Sequence, residues 1–222
     1  MKDESVINSQ AKIDDFKTEL SLRPKYFSEY VGQTKVKQTL SIAIKASKKR
    51  KEPLDHVLLY GPPGLGKTTL ANVISNEMGT DIKVTSGPAI EKAGDLVSIL
   101  TRLKKNDILF IDEIHRLNKI SEEVLYSAME EYRVSWIIDE GLKSRSVNLG
   151  IQPFTLIGAT TKYGNLSPPL RDRFGSIFRL DFYNNTEMTE ILHRSSQIFK
   201  IKTEQKGLSQ IATRSRKTPR IG

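Results

Sequence analysis

The fold is decided by Leu59-Tyr60-Gly61-Pro62-Pro63-Gly64-Leu65-Gly66-Lys67-Thr68-Thr69. An apolar run, His56-Val57-Leu58-Leu59-Tyr60, feeds a glycine-rich turn, and the turn opens a helical stretch from Thr68 to Met78. Gly61, Gly66, Lys67 and Thr68 meet the spacing G-x-x-x-x-G-K-[ST] in the strand–loop–helix setting that gives the pattern its meaning. Glycines let successive backbone N–H groups turn inward on one anion, and the helix N-terminus adds partial positive charge. Lys67 then reaches the outer phosphates of a nucleoside triphosphate, and the Thr68 hydroxyl holds Mg²⁺. At average residue usage the four fixed positions coincide in a chain of this size less than about once in a hundred.

Outward from that loop, strands and helices alternate. Before it, Val36, Leu40, Ala43 and Ile44 fall at helical spacing within Thr34 to Arg50, and Pro53 and Asp55 break that helix. After it come a short strand (81–85), a helix (94–103) and the run Ile108-Leu109-Phe110-Ile111-Asp112-Glu113. Four apolar residues in succession predict a strand buried on both faces, as in a parallel sheet covered by helices. A helix (119–132) and a hairpin (133–151) turning near Glu140-Gly141 follow, then a buried strand from Phe154 to Thr161. Leu166 to Gly175 is a proline-broken turn into a short helix, and Ile177 to Asp181 is the last strand. Two helices, at 186–199 and 204–214, end the chain. The pattern predicts an α/β three-layer sandwich with a mainly parallel sheet, then a small helical piece. Residues 1–20 are polar without sustained period and read as a flexible arm.

Composition narrows the class. Hydrophobic residues make up 37% and charged residues 27% of 222, no run approaches transmembrane length, and there is no cysteine for a disulfide or a thiolate metal site. The N-terminus lacks the apolar segment of a secretory signal, so a cytoplasmic protein without membrane contact is expected. The net charge is +9, and residues 200–222 contribute +6 of it, with a second basic cluster at Lys48-Lys49-Arg50-Lys51. Such clusters serve either a polyanionic partner or simple solvation.

Parallel sheets place ligands at the carboxyl ends of their strands. Asp112, directly after its apolar run, suits support of Mg²⁺ beside Thr68, and Glu113 suits polarising an attacking water. Thr160 and Thr161 end a neighbouring strand, where a hydroxyl could meet the γ-phosphate. Arg171 and Arg173 flank Asp172; the plain reading is a local ion pair, and the sharper one is a guanidinium reaching a neighbouring subunit's γ-phosphate. His115 and Arg116 could couple nucleotide state to structure. The three histidines have no metal-ligand spacing.

Leu22-Arg23-Pro24, Tyr30-Val31-Gly32-Gln33, GPPGLGKTTL, LFIDEIHRLN, PFTLIGATT, PLRDRFG and TPRIG form an ordered series from about residue 20 to 222. The series resembles the AAA+ ATPases, and most closely the motors of Holliday-junction branch migration. The resemblance implies ATP as the nucleotide and a large ATPase domain over 21–183, with the start of a helical lid over 184–222. It implies adenine- and ribose-side contacts from Leu22, Arg23 and Tyr183, and phosphate contacts from Gly61, Gly64, Gly66, Lys67, Thr68 and Thr69. Asp112 and Glu113 become the Walker B pair, with Mg²⁺ on Thr68 and Asp112. Thr161, or alternatively Thr160, becomes the sensor 1 hydroxyl, and Glu130, Glu131 and Tyr132 further nucleotide-side contacts. Arg173, ahead of Arg171, becomes the arginine finger, and Arg220 the second sensor in the lid.

The resemblance further implies a hexameric ring on junction DNA, working in recombination, repair and the SOS response beside a RuvC-type resolvase. The hairpin 133–151, with apolar Trp136, Ile137, Ile138 and Leu142, becomes the grip on the partner RuvA; the plain alternative is packing on the domain's own sheet. Such motors continue into a complete lid and a winged-helix DNA-binding domain, whereas this sequence stops at Gly222. A shortened lid and no winged helix are therefore expected. The competing expectations are a clamp-loader-type AAA+ subunit, or an ATP-binding interaction protein that does not cycle.

Overall fold

The computed structural model describes residues 22–137 and 146–222. Five strands form one parallel sheet: β1 (Val57–Tyr60), β2 (Ile82–Ser86), β3 (Ile108–Asp112), β6 (Thr155–Thr160) and β7 (Ser176–Arg179), in the order β2-β3-β6-β1-β7. Strands β4 (Arg133–Ile137) and β5 (Ser146–Gly150) pair antiparallel beside it, with Val134 opposite Leu149. The helices are α1 (Thr34–Arg50), α2 (Lys67–Met78), α3 (Ala93–Leu100), α4 (Lys119–Glu131), α5 (Pro168–Asp172), α6 (Asn185–Ile198) and α7 (Gln205–Arg214).

The continuous apolar runs are buried on both faces because alternate residues serve opposite layers. Val57 and Leu59 of β1, with Ile108 and Phe110 of β3, pack with Leu40 and Ile44 of α1 and with Leu70 and Ile74 of α2. Leu58, Leu109 and Ile111 face the other way, onto Leu96 and Leu100 of α3 and Leu125 and Met129 of α4. The result is the predicted three-layer sandwich. The first layer extends through Leu180, Met188, Leu192, Leu208 and Ala212, so α6 and α7 share a core with the base.

Local chemistry explains several boundaries. Asn184 caps α6 in a reciprocal box with Glu187, whose backbone N–H donates to the Asn184 side chain at 2.9 Å. Lys48, Lys49 and Arg50 occupy the last turn of α1, where cations offset the partial negative charge of the helix end. One of the two basic clusters thus has a structural reason. Helix α4 stops at Glu131 because Tyr132 turns left-handed at φ 51°. The hairpin's turn and the side chains of Trp136 and Ile137 lie outside the described residues, as do Ile138 and Leu142. The arm 1–20 lies outside them too. Among the described residues, no helix is long and apolar enough to cross a membrane.

His56, just before β1, ties the start of β6 to the C-terminal turn of α4. Its Nδ1 accepts from the Leu156 backbone N–H at 2.9 Å, which leaves Nε2–H to donate to the Met129 carbonyl at 3.1 Å. Acceptance at Nδ1 requires the neutral ring, and burial lowers the pKa, with the Met129 carbonyl opposing that shift. The unfolded chain therefore binds this proton more readily, so its contribution to stability is intact above about pH 6.5 and is lost as pH falls. Thermal midpoints should drop as pH falls below about 6.5, and His56→Gln should show a shallower drop. Equal slopes in the two chains would assign the pH dependence elsewhere.

Candidate functional site

The phosphate loop closes against the end of β7. Gly61 has φ 144°, and a Cβ there would lie 2.6 Å from the Leu180 carbonyl oxygen. Gly64 and Gly66 are left-handed at φ 80° and 89°, and Gly66 caps α2. Side chains at these positions would strain the backbone or fill the loop's concavity. Gly61→Ala should cost about 2 kcal/mol or more of stability in urea unfolding, from unfavourable φ and displacement of Leu180. An unchanged unfolding midpoint would show that the loop relaxes freely.

Lys67 is 7% exposed, and its ammonium donates to the Gly61 and Pro62 carbonyls at 2.8 Å each. Its pKa is lowered by burial first, with Asp112 opposing that shift and Arg220 adding to it. Lys67 therefore stands in the electrostatic field of a strand-end carboxylate and a lid guanidinium together.

A cleft of about 800 Å³ runs between the base and the lid, a size suited to a nucleotide-sized ligand. On the base side it is lined by Leu22, Arg23, Gly64, Gly66, Lys67, Thr68 and Thr69. Asp112, Glu113 and Thr161 line the strand ends, and Tyr183, Ile191, Leu192 and Arg220 the lid side. Arg220 crosses directly over the loop, since a Cβ on Gly64 would meet the Arg220 Cβ at 3.2 Å. Tyr183 is buried, with its hydroxyl 3.2 Å from the Leu65 carbonyl and 3.3 Å from the Tyr30 hydroxyl. Its ring is set beneath Gly32, where a Cβ would approach to 2.8 Å. Arg194 of α6 donates to the Leu22 carbonyl and pairs with Glu29 at 3.2 Å, fastening the lid to the segment ahead of α1.

Asp112 accepts the Glu113 backbone N–H at 2.9 Å, and Glu113 turns left-handed at φ 47°. Its carboxylate pairs with Arg116 at 3.0 Å. The two threonines part company. Thr160 is fully buried, accepts from the Lys162 N–H at 2.9 Å and lies 2.8 Å from His115 Nδ1, whereas Thr161 lines the cleft.

Five expected residues do not line this cleft: Gly61, whose carbonyl accepts from the Lys67 ammonium, and Glu130, Glu131, Tyr132 and Arg173. Residues 130–132, expected as further nucleotide-side contacts, stand at the C-terminal end of α4, outside the chain's own cleft. Glu130 instead pairs with Arg173 at 3.0 Å, and the Tyr132 ring packs on Phe154 at 6.2 Å. Arg171 lies over the Tyr163 ring at 5.4 Å. Tyr30, Ile191 and Leu192 also line the cleft; the two lid residues give no sign of it in the sequence, where each is one apolar position on an amphipathic helix.

Comparison with known proteins adds three findings. Residues 22–180 match the Holliday junction DNA helicase RuvB P-loop domain, and 183–222 match the RuvB AAA lid domain. The chain is 56% identical over 218 residues to the Holliday junction branch migration complex subunit RuvB of Dehalococcoides mccartyi (strain CBDB1), covering 98% of this chain and 62% of that protein. The solved Thermotoga maritima RuvB branch migration motor superimposes with a TM-score of 0.81 at 53% identity, covering 90% of this chain and 62% of that one. A single-residue variant of the same protein gives 0.82. The chain thus spans about 62% of the length of the relatives it matches.

Proposed function

The chain belongs to the RuvB family of AAA+ ATPases, and from that premise we propose that it is the ATP-hydrolysing motor subunit of a branch migration complex acting on Holliday junctions with RuvA. One observation carries the reading. The phosphate loop, the Asp112–Glu113 strand end, the Thr161 hydroxyl and the Arg220 guanidinium converge on a single cleft between base and lid.

Lys67 and the N–H groups of the loop and first turn of α2 bind the phosphates. The Thr68 hydroxyl and the Asp112 carboxylate are the hard oxygen donors that suit Mg²⁺, and both line the cleft. The ion when bound would neutralise phosphate charge. Glu113 orients and polarises the attacking water once Arg116 releases it. Thr161 steadies the γ-phosphate or that water. Leu22, Arg23 and Tyr183 hold the base and ribose, and Arg220 senses the phosphates from the lid. Arg173, outside its own cleft, acts on the ATP of the next subunit in a hexameric ring, with its ion-pair partner Glu130, and Glu131 and Tyr132, as further contacts to that ATP. Nucleotide-dependent movement of α6 and α7 about the Tyr183 segment is the mechanical step.

The hairpin 133–151 grips RuvA, and the complex works on junction DNA in the cytoplasm, beside a RuvC-type resolvase, in repair and the SOS response. The test is ATP turnover with and without a four-way junction and RuvA, together with junction unwinding. Turnover stimulated by both partners is expected. Tight ATP binding without turnover under every condition would replace the motor with a non-cycling interaction protein.

A further inference from the structure

Arg173 does not project freely from the surface. Its guanidinium carbon lies 4.5 Å from the centroid of the Tyr126 ring. One terminal nitrogen donates to the Pro169 carbonyl at 2.7 Å and the other pairs with Glu130 at 3.0 Å. Nε is buried with no hydrogen-bond partner. The Tyr126 hydroxyl is itself fixed: it donates to Glu122 at 2.9 Å and lies 3.0 Å from the Ser167 hydroxyl, which donates to the same carboxylate at 2.8 Å.

These contacts form one device. Glu122, Tyr126 and Glu130 are spaced four apart on α4, so they make a single stripe. Ser167 caps the N-terminus of α5, and Arg173 closes its C-terminus. The stripe therefore holds both ends of the short helix that carries the arginine. Within it, the half-exposed Glu130 pair is the weaker restraint, because solvent screens it. The planar ring is the stronger one, because it fixes the tilt of a planar cation as well as its position.

We propose that Tyr126 is the positioning residue for Arg173, presenting the guanidinium at a set angle to the neighbouring subunit's γ-phosphate. The proposal rests on the reading of Arg173 as the cation acting across the subunit boundary. A transition-state charge is served only by a donor already in place, and a free arginine would lose that advantage to side-chain disorder. The plain alternative is that Tyr126 merely fills space between α4 and α5.

The experiment compares steady-state ATP turnover, subunit assembly and nucleotide affinity in Tyr126→Phe, Tyr126→Leu, Tyr126→Met, Arg173→Ala and the double variant Tyr126→Leu/Arg173→Ala. Tyr126→Leu should lower kcat by about tenfold with KM and nucleotide affinity unchanged. Tyr126→Met, which keeps side-chain length without an aromatic face, should do the same, and Tyr126→Phe should lose only about threefold. The double variant should be no worse than Arg173→Ala. In the isolated chain, the Arg173 Nε–H should give an ordered, slowly exchanging nitrogen–proton signal in the wild type and in Tyr126→Phe, and a solvent-averaged one in the other two. Full kcat in Tyr126→Leu or Tyr126→Met, or an unaltered Nε–H signal, overturns the positioning role while leaving Arg173 in place. Full turnover in Arg173→Ala overturns both readings together.

Discussion

The Lys67→Ala chain should lose ATP turnover by at least about a hundredfold, the loss typical of removing one charged or oriented donor from a developing phosphate charge. The ammonium is buried at the base of the cleft and held between two loop carbonyls. Those carbonyls are neutral acceptors, and the oxygens of a triphosphate are charged and stronger ones. Incoming phosphates therefore draw the ammonium away from the Gly61 and Pro62 carbonyls. Stability should change by only about 1 kcal/mol per lost hydrogen bond. Steady-state kinetics and nucleotide binding measure the first effect, and urea unfolding the second. Turnover within a factor of a few of wild type would mean that the loop does not use this lysine on phosphate.

Arg173→Ala should have an effect of a different kind, lowering kcat by about a thousandfold, as for an arginine supplied across a subunit boundary. Nucleotide affinity of the isolated chain should not change, because Arg173 does not line its own cleft. On the proposed reading, Lys67→Ala removes a group from the chain's own site, and Arg173→Ala would remove one from its neighbour's. Weakened nucleotide binding in the isolated Arg173→Ala chain would contradict that separation.

The sheet was legible because Val57–Leu59, Ile108–Ile111 and Leu156–Ala159 carry uninterrupted runs without a polar side chain, the mark of strands covered on both faces in a parallel sheet. The phosphate loop was legible because its chemistry lies in consecutive residues. The remaining assignments depend on contacts that no local pattern encodes. Thr160 and Thr161 are neighbours in sequence, yet alternation sends one hydroxyl to His115 and leaves the other on the cleft. Glu130 belonged, by motif order, with the nucleotide contacts. Its place is set by where α4 ends, and there it meets Arg173. Tyr126 carried no signal at all, since one aromatic on an amphipathic helix reads as core. Its stacking on Arg173 and its tie to Ser167 connect residues 41 and 47 positions apart, so only the folded chain displays them.

If the neighbouring subunit's arginine completes each site, as proposed, an equimolar mixture of Lys67→Ala and Arg173→Ala chains should turn over ATP. Neither chain should turn over alone. In mixed rings, an Arg173→Ala subunit keeps its own phosphate loop and receives an intact arginine wherever a Lys67→Ala subunit stands on the correct side. Random head-to-tail assembly makes about a quarter of the boundaries competent, so about a quarter of wild-type turnover should return. A mixture as inactive as its components, despite ring assembly, would contradict the shared site.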